Sequence, residues 1–356
     1  MQKQQYQLTT FILKIHISSL LKLISFCFIL VLVLYGCSKE NENIGKNSPL
    51  GVISSDLIKL EDALKIDASE FVSLINKVRG SVGKRGFGSK VIWSRKNENN
   101  LGLYISANHV YGLDTWPDRQ ESFINISENN NGIFLGSQIP KSDGSISLGN
   151  ELIADFGLYH PEIPSNATNH SIHPAFDFYI GIMDNQRIQD NGLAIYPQKV
   201  IMAQALELYD PENRTLDSQT WNKTESMDTI LAIGYPQDRL NYPNGAISTG
   251  KVLSESEALS AIAILKNLGD EEGNIPYNHQ VEFIAKAKAL PGMSGGGVFN
   301  AKGQLLGIMV RATKVNNQYL IRVIRITYIK QKLTSFYHSL SLSDQQKIRP
   351  FINGEL

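Results

Sequence analysis

This chain of 356 residues has only two cysteines, Cys27 and Cys37. Beyond residue 37 there is none, so no internal disulfide can form there and the fold must rest on core burial. Neither sign of charge is in excess: 34 Lys and Arg stand against 34 Asp and Glu. That balance argues against nucleic acid as the main partner. The apolar stretch Leu23–Leu34 is too short for a comfortable membrane span. No repeat of fixed period is present. His160, His170 and His173 share one region, but without metal-ligand spacing or a cysteine partner, so no metal site is expected. The chain does have 42% hydrophobic residues, enough for a sizeable core.

The N-terminus differs in kind from the rest. Lys3, Lys14 and Lys22 precede the apolar stretch, and residues 1–36 read as a secretory signal. Leu34-Tyr35-Gly36-Cys37 resembles a lipobox, which implies acylation at Cys37. The polar residues that follow, rich in Lys, Glu and Asn, make 37–50 a flexible tether. The expected location is therefore the cell envelope, with acyl chains at Cys37 holding the protein to a membrane. A signal anchor with an incidental cysteine is the alternative.

Residues 51–85 carry apolar positions at helical spacing, among them Leu64, Phe71, Leu74, Ile75 and Val78, and predict a helical arm. From Gly86 the pattern changes to short β runs separated by Gly and Asn turns, which continue to residue 328. A polar segment near 183–228 reads as a crossing between two β units, and Glu255–Lys266 as a short helix or strand in an insertion. Residues 329–356, with Ile329, Leu333, Phe336 and Leu340, predict an amphipathic helix and a tail.

Within the β region, Pro291-Gly292-Met293-Ser294-Gly295-Gly296 is the most informative segment. Its glycines allow the backbone to fold tightly around the Ser294 hydroxyl. Such a turn can aim the N–H groups of Gly292 and Ser294 at one point, as an oxyanion hole requires. Upstream, an alternating apolar run ends in Asn108-His109-Val110, and Asp177 opens the run Phe178-Tyr179-Ile180. In the order His, Asp, Ser, these supply a nucleophile (Ser294), a base (His109) and a group to orient that base (Asp177). Asp155, also ahead of an apolar run, is the rival acid. Alternation through Ile180 and Ile182 favours Asp177.

These motifs resemble the chymotrypsin-like (trypsin-fold) serine peptidases, in particular the Deg/high-temperature-requirement and glutamyl endopeptidase branches. Ala232-Ile233-Gly234-Tyr235-Pro236 and Ser248-Thr249-Gly250-Lys251-Val252 are similar to segments that open the second barrel of that family. The resemblance implies an all-β fold of two antiparallel six-stranded barrels over 86–328, a polypeptide substrate and no cofactor. It also places Lys288, six positions before Ser294, at the base of the specificity pocket, where it would favour an acidic side chain. The chain departs from the family at Met293, where trypsins carry an Asp that receives a new N-terminus, and at Val310, where many carry a Ser near the buried acid. The expected function is a lipid-anchored serine endopeptidase. The alternative is an inactive trypsin-fold lipoprotein acting as a binding module. An esterase of the α/β-hydrolase type fits poorly, because its order is Ser, acid, His.

Overall fold

The computed structural model describes residues 50, 56–85, 88–96, 101–111, 163–184 and 221–352. Shorter stretches at 127–129, 132–134, 139–140, 146–147, 155–159 and 161 are also described. Residues 1–36, read above as a signal, Cys37, most of the expected tether, His160 and most of the expected crossing near 183–228 lie outside the described residues.

The arm opens with strand β1 (Ile58–Lys59), helix α1 (Leu60–Ala63) and helix α2 (Ser69–Val78). Phe71, Leu74, Ile75 and Val78 of α2 fall on one helical face, and all four are buried. Strand β2 (Val82–Arg85) follows and pairs with β3 (Gly88–Lys96), so the first sheet starts ahead of the compositional change at Gly86. Next come β4 (Leu101–Ser106), the hairpins β5 (Ser127–Asn129) with β6 (Gly132–Phe134) and β7 (Ile139–Pro140) with β8 (Ile146–Ser147), then β9 (Asp155–Tyr159) and β10 (Tyr179–Asp184). The first sheet has the order β2-β3-β4-β10-β9, and every pair is antiparallel. Gly181 pairs with Tyr104, and the missing side chain leaves room for the Tyr104 ring, which a Cβ there would meet at 2.1 Å.

The second half comprises β11 (Thr229–Gly234), β12 (Ala246–Val252), helix α3 (Glu255–Asn267), β13 (Glu282–Lys286), β14 (Gly297–Asn300), β15 (Leu305–Val315) and β16 (Gln318–Arg325). Two helices, α4 (Ile326–Ser339) and α5 (Leu342–Ile352), end the described chain. The strands run β12-β11-β14-β15-β16-β13, and β12 pairs again with β13, which closes a six-stranded antiparallel barrel. Strand β1 adds to the outer part of β12 through Ile58↔Ile247. The Glu255–Lys266 segment is helical because Ser254 and Glu257 form a reciprocal capping box.

Strand β11 shows how the halves share a core. Ile230 and Ala232 point into the closed barrel with Phe283, Val298 and Val323. Leu231 and Ile233 point outward and meet Val91, Leu103, Ile105, Phe178 and Ile180 of the first sheet. The two-residue period of a strand therefore buries both faces of β11, and the two sheets meet across its outer face. The chain is mostly β, as expected from the sequence.

Candidate active site

Asp177 is fully buried at the end of a 3-10 turn, Pro174–Phe176, just before β10. His173 begins that turn and its Nδ1 accepts the Ala175 N–H. From the other side, Asn108 Nδ2 donates to the Phe176 carbonyl at 3.0 Å. Strand β10 lies beside β4 in the register Tyr179↔Ser106, which brings the two strand ends together. His109, three residues beyond Ser106, therefore faces Asp177. Its Nδ1 lies 2.9 Å from Oδ1 and 2.8 Å from Oδ2, and its backbone N–H donates to Oδ1 at 2.9 Å. A carboxylate in this position keeps the proton on Nδ1 and leaves Nε2 as a base. The rival, Asp155, sits on β9 opposite Met183, at the far end of the β9–β10 pairing from Tyr159 and Ile180.

Ser294 lies in the tight turn between β13 and β14. Gly292 (φ +96°) and Gly295 (φ +83°) adopt the left-handed conformation. A Cβ at Gly295 would come within 2.1 Å of the Ser89 carbonyl oxygen. Met293 is fully buried in the barrel core, so the turn is anchored by an apolar side chain where a trypsin would carry a carboxylate. The Pro291 carbonyl accepts the Gln237 N–H, and the Met293 N–H donates to Leu290. Among the described residues, the N–H groups of Gly292 and Ser294 make no hydrogen bond within the protein. Two such donors in one turn, on either side of Met293, can stabilise an oxyanion.

His109 and Ser294 line the same cleft of about 780 Å³, together with Gln237, Leu290, Met293 and Val310. Ser294 Oγ makes no hydrogen bond to His109 among the described residues. The ladder between β15 and β16 shifts register between Met309 and Arg311, so Val310 is unpaired and this stretch of strand turns toward the cleft.

Lys288 does not line the cleft. Its Nζ sits 4.9 Å from the Tyr319 ring centroid, and it lies two residues past the end of β13 rather than within the strand. Among the described residues, Arg311 is a cation that does line the cleft. Its Nε donates to Glu272 Oε1 at 2.6 Å, and its guanidinium also donates to the His170 carbonyl. Behind it, the buried Arg322 holds Glu282 through two contacts of 2.6 and 2.8 Å. His173 lies near this pair, and burial pushes its imidazole below the ordinary value of 6.5, with Glu282 opposing and Arg322 reinforcing the shift. The sequence did not single out Ser89, Gln237, Glu272 or Arg311. Their roles arise from contacts between distant segments, and no local motif marks them. Among the described residues no group of three or more side chains is arranged to hold a metal.

Residues 190–308 match the family model described as a trypsin-like peptidase domain. The matched range includes Ser294 but neither His109 nor Asp177. Comparison with curated proteins finds no match. Among solved structures, an inactive form of Rv3671c from M. tuberculosis H37Rv is 13% identical, covers 78% of this chain and 96% of its own, and has a TM-score of 0.35. A serine endoprotease from Yersinia pestis is 15% identical, with coverage of 76% and 67% and a TM-score of 0.36. The HtrA-type protease AlgW with a tripeptide is 16% identical, with coverage of 76% and 64% and a TM-score of 0.37. At such scores these likenesses carry no weight for function.

Proposed function

We propose that this protein is a serine endopeptidase in which Ser294 attacks a peptide carbonyl. The observation that carries this reading is the buried Asp177 on His109 Nδ1, in a cleft shared with Ser294 and two unengaged N–H donors. In the first step the Ser294 Oγ–C bond forms as His109 Nε2 takes the hydroxyl proton. The carbonyl oxygen becomes an oxyanion between the N–H groups of Gly292 and Ser294. Collapse breaks the C–N bond, and His109 returns the proton to the leaving amine. Water, deprotonated by His109, then releases the acyl group and restores Ser294. Protein groups supply every part of this cycle, so no cofactor enters it.

The leading test is labelling of the signal-free protein by a fluorophosphonate, followed by peptide mapping. Modification at Ser294, with hydrolysis of a peptide library, supports the reading. Absence of both would favour a binding module that uses the cleft for recognition, a reading to which the missing Ser294–His109 hydrogen bond is also suited. We further propose that Cys37 is acylated and becomes the first residue of an envelope lipoprotein, a reading supported by Leu34-Tyr35-Gly36-Cys37 and the polar tether. If Cys37→Ser leaves processing and membrane retention unchanged, the anchor is wrong.

A further inference from the structure

Ser89 lies on β3 of the first sheet, far in sequence from the nucleophile turn, and is fully buried. Its hydroxyl donates to the Gly292 carbonyl at 2.8 Å and accepts the Tyr235 N–H at 2.8 Å. Its own backbone N–H donates to the Ser294 carbonyl at 2.8 Å. One residue of the first sheet thus grips both residues whose N–H groups form the oxyanion site, along with the end of β11. Because N–H only donates and C=O only accepts, the direction of the Ser89 hydroxyl proton is fixed. Among the described residues, Gly292 O has no other partner.

We infer that Ser89 is a positioning residue for the oxyanion turn, an inference that rests on the peptidase reading for its kinetic consequence. The Gly292 N–H belongs to the peptide that joins it to Pro291. Within that trans peptide, the Pro291 carbonyl accepts the Gln237 N–H at 2.8 Å, which fixes the opposite direction for the Gly292 N–H. In the next peptide, Ser89 holds the Gly292 carbonyl. Gln237 is itself two residues beyond Tyr235, which the same hydroxyl grips. Removing that hydroxyl frees the Gly292 carbonyl and loosens the segment carrying Gln237. The peptide between 291 and 292 can then rotate, which turns its N–H out of the cleft and its carbonyl in. Ground-state binding along the rest of the cleft would be retained, so the loss falls on the transition state.

The test compares Ser89→Ala, Ser89→Cys and Ser89→Thr with Ser81→Ala in the signal-free protein. Ser81 is equally buried and bonds Val78, away from the cleft, so it reports loss of a buried hydroxyl alone. Ser89→Ala should lower kcat roughly 10- to 100-fold with KM within about twofold, somewhat less than loss of an oxyanion donor itself. Affinity for a peptide boronate should fall in parallel with kcat/KM. Ser89→Cys, a weak donor of similar size, should fall between, and Ser89→Thr, which keeps the hydroxyl, should recover most of the rate. Ser81→Ala should lower stability and leave kcat unchanged. Hydrogen exchange provides an arm independent of hydrolysis. The Gln237 and Met293 amides should exchange faster in Ser89→Ala and Ser89→Cys than in wild type. If wild type neither reacts with fluorophosphonate nor cleaves peptides, the peptidase reading fails, while exchange still decides whether Ser89 orders the turn. Wild-type exchange at both amides in Ser89→Ala, or in Ser89→Cys if the alanine variant does not fold, overturns the inference.

Discussion

Both carboxylate oxygens of Asp177 lie within 2.9 Å of His109 Nδ1, and one of them also accepts the backbone N–H of the same histidine. The acid therefore fixes both the ring and the chain that carries it. Asp177→Asn should reduce kcat about 10⁴-fold by favouring the wrong imidazole tautomer. Ser294→Ala and His109→Ala should each cost several orders of magnitude, and the double variant little more, since the two act as a unit. Asp155→Asn should leave the rate near wild type. Steady-state hydrolysis of one peptide by all five variants checks the set, and a crippled Asp155→Asn would move the acid assignment.

Met293 is fully buried in the closed barrel and offers no carboxylate to a newly freed amine. The turn that carries Ser294 is held by packing of Met293, so proteins begun at different residues between 38 and 50 should label equally with a fluorophosphonate. Met293→Ala should destabilise by about 2–5 kcal/mol through the cavity it leaves, and Met293→Leu by less than about 1.5 kcal/mol. Urea unfolding, run beside probe labelling, reads both effects.

Arg311 lines the cleft with its charge balanced by Glu272. Lys288 is not among the residues that line the cleft, so the acidic preference expected from its position has no support in that lining. Wild type should cleave after apolar side chains, which suit Leu290, Met293 and Met309, better than after Glu. Glu272→Gln uncovers the guanidinium charge and should shift selectivity toward Glu by roughly tenfold, about 1.4 kcal/mol. Matched peptides differing only at the residue before the cut measure this ratio.

The Arg322–Glu282 pair is buried on both sides, at 1% and 0% side-chain exposure. Glu282→Ala leaves the buried Arg322 with only Glu272 Oε2 at 3.7 Å and backbone carbonyls, so it should cost about 3 kcal/mol. Replacing both by apolar residues should cost less. Chemical denaturation of the single and double variants forms the required cycle.

His173 caps the turn that presents Asp177, and its Nδ1 must be unprotonated to accept the Ala175 N–H. Burial lowers its folded value below 6.5. Its contribution to stability is therefore present above pH 6.5 and is lost as pH falls through 6.5 toward the lower folded value. Thermal melts between pH 7.5 and 5.5 should show a loss that His173→Asn reduces, since Asn can cap the turn without titrating.

The sequence by itself determined the β character and the arm and terminal helices, and it marked the three candidate site residues, because each is written in a local pattern. Period-two runs mark strands, and a serine among glycines marks a tight turn that few other residues could make. Alternation through Ile180 and Ile182 already favoured Asp177 over Asp155, but the contact of Asp177 with His109 follows from the register of β10 on β4, which only pairing between distant segments sets. The exclusion of Lys288 from the cleft, the balance of Arg311 by Glu272 and the grip of Ser89 on Gly292 were decided by tertiary structure. Those contacts join residues 31 or more positions apart. Local sequence constrains backbone conformation, but side-chain partners are chosen by the packing of one sheet against the other.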